Sequence, residues 1–315
     1  MCYVFVWVLA VVGAVFEVDE RAVSREMLKS ALNSVGYIAD DALITTLYLS
    51  LRLGKPLLLE GEPGCGKTEL AKSLSHAFNR ELIRLQCYEG LDSGSAIYEW
   101  DYLRQLLKIR MLEASGSIPD SEIFSERFIL KRPLLRAVTH GDSKPPVLLI
   151  DEVDRADEEF EGFLLEFLAE FQVTIPELGS FKAKKPPIVV ITSNQTRELG
   201  DGLRRRCLYY YVSFPTPQRE LEILSVKVKG LDEALARQIV GFVRVLREEF
   251  DLVKKPGVAE TIDWARALLS LDAKTLEPHL VEQTLSCLIK DSSDTLKLDG
   301  DALKSAIENS AAKAS

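Results

Sequence analysis

Histidine is almost missing from this chain of 315 residues: His76, His140 and His279 are the three, and no two lie near each other in sequence. Cysteine is nearly as sparse. Cys2, Cys65, Cys87, Cys207 and Cys287 are odd in number, widely separated and form no Cys-x-x-Cys pair. That pattern argues against both a disulfide framework and a zinc site. Nothing reads as a Ser-His-Asp nucleophile arrangement. Positive charge is also short, with 39 Lys and Arg against 48 Asp and Glu, a net charge of −9. With no block of like positive charge, no nucleic-acid partner is expected. Disorder is excluded by composition, because 47% hydrophobic against 28% charged residues can bury a sizeable core. A reducing, cytoplasmic setting fits these features best.

Long apolar runs are missing too, with one exception. Met1 to Phe16 carries no charge, the first being Glu17. The run falls short of the about 20 residues that cross a bilayer. It lacks the preceding Lys or Arg of a signal peptide. Residues 1–17 therefore read as an N-terminal extension. It is either a start assigned too far upstream, with folded protein beginning near Val18, or a membrane anchor that makes the chain membrane-associated. A docked strand or helix is the third reading.

What is present is an alternation of short apolar runs and helical periods. Ser24 to Leu53 has helical spacing broken by Gly36, and Pro56–Glu60 reads as a buried strand ending in a glycine loop. A helix over Thr68–Asn79 and a strand over Leu82–Cys87 follow. Tyr98–Ala114 reads as one long helix, and Phe128–Val138 as an extended piece leading into another. Pro146–Ile150 and Pro187–Thr192 are strands without polar alternation, so both faces should be covered. Glu158–Phe171 is a helix, Gln172–Ile175 a brief strand and Leu208–Val212 the last strand. Strands alternating with helices predict an α/β fold with a parallel sheet and helices on both faces. After Pro215 and Pro217 only helices are readable: Gln218–Val228, Asp232–Phe250, Val258–Ser270, Glu277–Lys290 and Asp301–Ala312. The expected organisation is an α/β domain over 18–215, a small all-α lid over 216–290 and a fraying polar tail over 291–315.

Chemistry begins at Gly61. The run Gly61, Glu62, Pro63, Gly64, Cys65, Gly66, Lys67, Thr68 satisfies G-x-x-x-x-G-K-[ST] between a predicted strand and a predicted helix. Glycines let backbone N–H groups wrap phosphates, and the following helix, opening at Thr68 and Glu69, turns its positive end to the charge. Lys67 would reach the β- and γ-phosphates and the Thr68 hydroxyl would ligate Mg²⁺. The second motif is the apolar strand ending in Asp151 and Glu152, which delivers two carboxylates where parallel sheets bind ligands. Asp151 can hold Mg²⁺, directly or through water, and Glu152 can polarise a water for attack on the γ-phosphate. Together these motifs indicate hydrolysis of a nucleoside triphosphate with Mg²⁺ as cofactor. Asn194, ending the strand Ile188–Asn194, either orients the attacking water or caps the next turn. Arg204, Arg205 and Arg206 are either a solvated charge run or a source of a guanidinium for a neighbour's γ-phosphate.

The order of phosphate loop, Asp-Glu strand, Asn strand, arginines and helical lid resembles an AAA+ ATPase. A finer resemblance is to the MoxR family and its CoxD-like branch, linked to maturation of molybdenum-containing carbon monoxide dehydrogenases. It rests on Leu58–Lys72, Arg84–Gly90, Tyr98–Tyr102, Leu149–Asp157, Gln172–Leu178, Thr192–Leu199, Arg204–Cys207 and Lys255–Trp264, and spans roughly Gly36 to Lys290. The resemblance implies a P-loop NTPase AAA+ core with a helical lid, assembled as a self-associating ring, a hexamer, with ATP at subunit interfaces. It implies Arg206, with Arg205 second, as the arginine acting on a neighbour's site, and Asn194 as the sensor of the γ-phosphate. It also implies hairpin insertions at Phe128–Leu135 and Gln172–Ser180, a von Willebrand A-domain partner and a metalloenzyme client. One departure stands out. Relatives carry a lid arginine touching the γ-phosphate, where this chain reads Val258-Ala-Glu-Thr261, leaving Arg266 as the nearest substitute.

Some residues keep two readings. Tyr37 and Ile38 would pack the adenine base or belong to ordinary core. Cys65, at a helix N-terminus, is either a redox-sensitive thiol or a small residue in the loop. Tyr98, Trp100 and Tyr102 either grip a client strand or fill the core. Two functional alternatives remain beside partner remodelling: a nucleotide-switched binding module with little hydrolysis, and an AAA+ ATPase acting on nucleic acid.

Overall fold

A computed structural model of the chain describes residues 23–113, 123–141 and 144–313. The described residues separate into two compact units. One takes those up to Ala31, Asp40–Glu60 and Leu70–Tyr210; the other takes Leu32–Ala39, Gly61–Glu69 and the chain from Tyr211 onward. The apolar run before Glu17 lies outside the described residues. Among the described residues no helix is long and apolar enough to cross a membrane.

The first unit is built on a five-stranded sheet of β1 (Leu57–Glu60), β2 (Leu82–Gln86), β5 (Val147–Asp151), β8 (Ile188–Ser193) and β9 (Leu208–Tyr211), in the order β2-β5-β8-β1-β9. Pairs β2–β5, β5–β8 and β8–β1 are parallel. Every residue of β1, β5 and β8 is buried, whereas β2 and β9 alternate with more exposed positions. Runs without polar alternation thus take the centre, where both faces are covered, and alternating runs take the edges. The core on this sheet gathers Leu58, Leu148, Ile150 and Ile191 with Leu134, Phe160, Leu164 and Phe167. Because β2, β5, β8 and β1 run parallel, their C-terminal residues Gln86, Asp151, Ser193 and Glu60 share one edge.

Two antiparallel pairs stand apart from this sheet. β3 (Tyr98–Trp100) pairs with β4 (Ile129–Lys131), and β6 (Gln172–Ile175) with β7 (Gly179–Lys182). The long helix expected over Tyr98–Ala114 is therefore corrected to a strand followed by a helix over Tyr102–Glu113. Asp101 starts that helix, its Oδ1 accepting the Arg104 N–H at 3.1 Å. The hairpin expected within Phe128–Leu135 is likewise corrected: Ile129–Lys131 finds its partner 98–100 far upstream, and Pro133–Val138 is helical. Tyr98 and Trp100 pack edge to face at 5.8 Å against the core, while Tyr102 is 70% exposed, so the three aromatics divide between the two readings.

The second unit is helical after Tyr211. Helices cover Pro217–Lys227, Glu233–Glu249, Val258–Ser270, Pro278–Thr284, Ser292–Lys297 and Gly300–Lys313. Their core includes Leu224, Phe242, Trp264, Leu268 and Val281. Two expectations fail here. Glu277–Lys290 is not one helix, since Pro278–Thr284 gives way to a 3₁₀ turn over Leu285–Cys287. Residues beyond 290 are not a fraying tail: Leu298, Leu303 and Ala306 are buried in the helical core, and Asp294 accepts the N–H groups of Val253 and Lys254 at 2.9 and 3.0 Å. The sequence shows that last helix as Asp301–Ala312, but its apolar stripe is short and diluted by polar residues, which hid its burial. The unit also includes Leu32–Ala39 and Gly61–Glu69, well before the expected boundary at 215.

Candidate functional site

In the helical unit, Gly61 to Thr68 forms a loop that runs into the helix starting at Lys67. A Cβ at Gly61 would lie 2.2 Å from the Val212 carbonyl oxygen, so only glycine fits. Gly66 sits at φ +90° with no atom within 4 Å of where a Cβ would point, which leaves an open cradle on a left-handed backbone. Lys67 is only 6% exposed, and its Nζ donates to the carbonyls of Gly61 at 2.7 Å and Glu62 at 2.8 Å. The loop thus carries a buried ammonium that its own carbonyls solvate. Thr68 is half-buried, Pro63 is exposed, and Glu69 pairs with Lys227 at 3.5 Å. Cys65 is buried, and burial pushes its thiol up to about 11 despite the nearby Lys67. That burial works against a reactive thiolate and favours the reading of Cys65 as a small residue in the loop. Tyr37 is buried in the same unit, its N–H donating to the Leu32 carbonyl, and the Ile38 carbonyl accepts from Arg219 Nε at 3.1 Å.

In the α/β unit, the acidic pair sits at the sheet edge under a dense set of bonds. Asp151 is buried. Its Oδ1 accepts from Thr192 Oγ1 at 2.6 Å, and its Oδ2 from Arg84 Nε at 3.0 Å and Nη2 at 2.6 Å. Glu152 follows at φ +55°, a left-handed conformation costing on the order of 1–3 kcal/mol for a non-glycine residue. Its N–H donates to the same Thr192 Oγ1 at 2.9 Å, which helps hold that backbone. Its side chain is aimed by three donors. Asn194 Nδ2 reaches Oε1 at 3.3 Å, while Gln86 Nε2 at 3.1 Å and Arg155 Nη1 at 3.3 Å reach Oε2.

Asn194 is itself placed by Asp154, whose Oδ1 accepts the Asn194 N–H at 3.1 Å. The other Asp154 oxygen accepts from the Thr196 N–H and hydroxyl at 2.9 and 2.7 Å. Burial works against charge on Asp154, but these bonds outweigh it and hold the carboxyl below its ordinary range. Sequence reasoning gave no role to Arg84, Gln86, Asp154 or Thr192. The only signal was that each lies in or just after a strand of the same sheet.

The three arginines separate by geometry. Arg204 Nη2 bonds both oxygens of the buried Glu60, at 3.0 and 2.8 Å, and Gln195 Nε2 adds a third bond at 3.2 Å. Arg205 is 82% exposed and pairs loosely with Asp201 at 3.6 Å. Arg206 is exposed and makes no side-chain hydrogen bond or ion pair among the described residues.

Taken by itself, the loop of the helical unit fits a polyphosphate, with a buried ammonium at Lys67 and an open cradle at Gly66. Taken by itself, the sheet edge of the α/β unit offers the buried carboxylate of Asp151, which suits a magnesium ion. Both Asp151 oxygens already carry donors, so magnesium would meet it through water or after Arg84 swings away. Magnesium keeps several waters and needs few protein ligands. Among the described residues no group of three His, Cys, Asp or Glu could hold a metal alone.

Comparison with known proteins bears on the fold and the activity. Residues 56–207 match the AAA domain, dynein-related subfamily. An uncharacterized protein of Staphylococcus epidermidis is 27% identical over 77% of this chain and 88% of its own length. The gas vesicle ATPase GvpN of Haloferax mediterranei is 25% identical over 81% of this chain and 73% of its own. The denitrification regulatory protein NirQ of Stutzerimonas stutzeri is 25% identical over 76% and 80%. Residues 56–207 match an AAA domain, and the chain is an ATP hydrolase with the P-loop AAA+ fold, similar over most of its length to GvpN and NirQ.

Proposed function

We propose that the chain is an Mg²⁺-dependent ATPase of the MoxR type that couples hydrolysis to remodelling or maturing a partner protein. The observation that carries this reading is the convergence of Gln86, Thr192 and Asn194, from the ends of β2 and β8, on Asp151 and Glu152 at the end of β5. Lys67 and the N–H groups of Gly61–Thr68 bind and orient the phosphates. Thr68 and Asp151 are the residues that would hold a magnesium ion, directly or through water, and the ion would neutralise phosphate charge. Glu152 takes a proton from the attacking water as the terminal P–O bond breaks, and Asn194 fixes the orientation of Glu152 and of that water. Tyr37 and Ile38 pack the base.

Arg204 is committed to Glu60, so Arg206 is the residue offered to a neighbouring subunit in a ring, with Arg205 second. A hexamer with a von Willebrand A-domain partner and a metalloenzyme client, such as a molybdenum carbon monoxide dehydrogenase, follows from the CoxD-like resemblance. Two relatives described as a gas vesicle ATPase and a denitrification regulatory protein suit an ATPase core put to different clients.

ATP turnover measured per subunit across protein concentrations, beside Glu152→Gln, tests the reading. Turnover that rises with concentration, vanishes in Glu152→Gln and is poisoned by mixing in Arg206→Ala supports a ring. Tight ATP binding without turnover at any concentration selects the nucleotide-switched module instead. For the client, Glu152→Gln held with ATP should retain a von Willebrand A-domain protein, and equal retention without nucleotide would count against remodelling.

A further inference from the structure

We propose that the helical unit positions the phosphate loop through the backbone of Gly257 and Val258, braced from behind by Arg247, where relatives use a lid arginine. The proposal rests on the reading of Gly61–Thr68 as the phosphate loop, and every contact below lies within the helical unit. The helix Val258–Ser270 has Gly257 as its N-cap. The first N–H groups of a helix have no partner within it. Here the Val258 N–H donates to the Gly64 carbonyl of the loop at 2.9 Å, and the Gly257 N–H to Glu260 Oε2 at 3.0 Å. The two segments touch glycine to glycine. A Cβ on Gly257 would lie 2.7 Å from Gly64 Cα and 2.9 Å from its carbonyl carbon, both backbone atoms that cannot swing aside.

The turn that makes this contact is held at both its carbonyls. Arg247, 8% exposed, donates from Nε to the Pro256 carbonyl at 2.7 Å. Its other nitrogens grip Glu220 at 2.8 and 2.9 Å, and the guanidinium lies 4.4 Å from the centre of the Phe214 ring. Thr261 Oγ1 bonds the Gly257 carbonyl at 2.8 Å and Glu220 Oε1 at 3.1 Å. Thr261 lies in the stretch where the resemblance expects a lid arginine. Arg266, the nearest substitute, is taken by Asp263 at 3.3 Å. Holding the loop in one shape before the nucleotide arrives removes an ordering cost from binding. Gly257, Val258 and Arg247 are therefore positioning residues: they act on phosphates through Gly64.

The test uses the full chain and a fluorescent ATP analogue titrated by anisotropy, with thermal melts of the nucleotide-free protein. Gly257→Ala is expected to weaken binding about tenfold or more, raising KM for ATP while kcat holds. Gly230→Ala is the control. It lies in the same unit at φ +85° with nothing within 4 Å, so it should lower Tm without weakening binding. Arg247→Lys keeps the charge but loses the fork, and should weaken binding less than Gly257→Ala; it carries the test if Gly257→Ala does not fold. Wild-type affinity in both variants, or equal weakening by Gly230→Ala at matched loss of Tm, overturns the proposal. Lys67→Ala separates it from its premise. If Lys67→Ala alone loses binding, only the positioning role falls; if Lys67→Ala also binds as wild type, the phosphate-loop reading falls with it.

Discussion

Each unit buries a glutamate against an arginine, and the two pairs differ in how closed they are. Glu60 at the end of β1 is fully covered, but the Arg204 side chain that holds it is 36% exposed. Glu220 and Arg247 in the helical unit are both enclosed, with the guanidinium bonded to a carboxylate, a carbonyl and a hydroxyl. The α/β unit keeps its polar groups at a sheet edge, on side chains that can exchange partners, and holds Glu152 on a strained backbone. The helical unit spends its buried charge on fixing backbone. The first arrangement suits a site where bonds change during turnover, and the second suits a brace.

The contrast can be broken or sharpened by substitution. Glu152→Gln should lower turnover by about a hundredfold or more, the range for losing a general base, while Tm stays near wild type. A matching fall in Tm would mean that the acid edge is structural after all. Arg247→Ala leaves Glu220 buried and unpaired, and should cost about 3–5 kcal/mol in urea unfolding. Arg204→Ala should cost less, about 1–3 kcal/mol, because water can reach the vacated side of Glu60. Equal costs would erase the distinction drawn between the pairs.

Asp154 gives a smaller, pH-dependent effect. Its folded pKa is lowered, so the stability it contributes is complete above the ordinary carboxylate value of about 4 and is lost as pH falls through the folded value. Asp154→Asn should flatten that acid limb in a plot of urea midpoint against pH; an unchanged limb would assign it to other carboxylates. The smallest effect concerns thiols. Burial pushes Cys65 to about 11 and Cys87 and Cys207 to about 12, whereas Cys287 is only half-buried. Among these four, mass spectrometry after brief alkylation at pH 8 should find Cys287 modified first. Early labelling of Cys65 would show that its loop opens.

Much of the fold was legible because its central strands are unbroken apolar runs between glycine and helical punctuation. The phosphate loop and the Asp-Glu strand were legible as local patterns. What was hidden depends on register. Gln86 meets Glu152 because β2 pairs with β5 so that Gln86 stands opposite Asp151, and no local pattern says so. Tyr98–Trp100 was absorbed into a helix because three residues are too few to show a period of two, while helical spacing resumes at Tyr102. Gly257 stood out only as part of the stretch Lys255–Trp264. Its contact with Gly64 is a tertiary event between residues far apart in sequence.

The close approach at Gly61 has an evolutionary consequence. The first residue of the loop is held to glycine by the passing Val212 carbonyl, whatever a ligand asks of it. A descendant that abandoned hydrolysis would be free to drift at Lys67 and Glu152 but not at Gly61. In a library selected only for soluble, folded chains, glycine should persist at 61 while 67 and 152 diversify. A fossil of the motif would then survive in lineages that no longer use it.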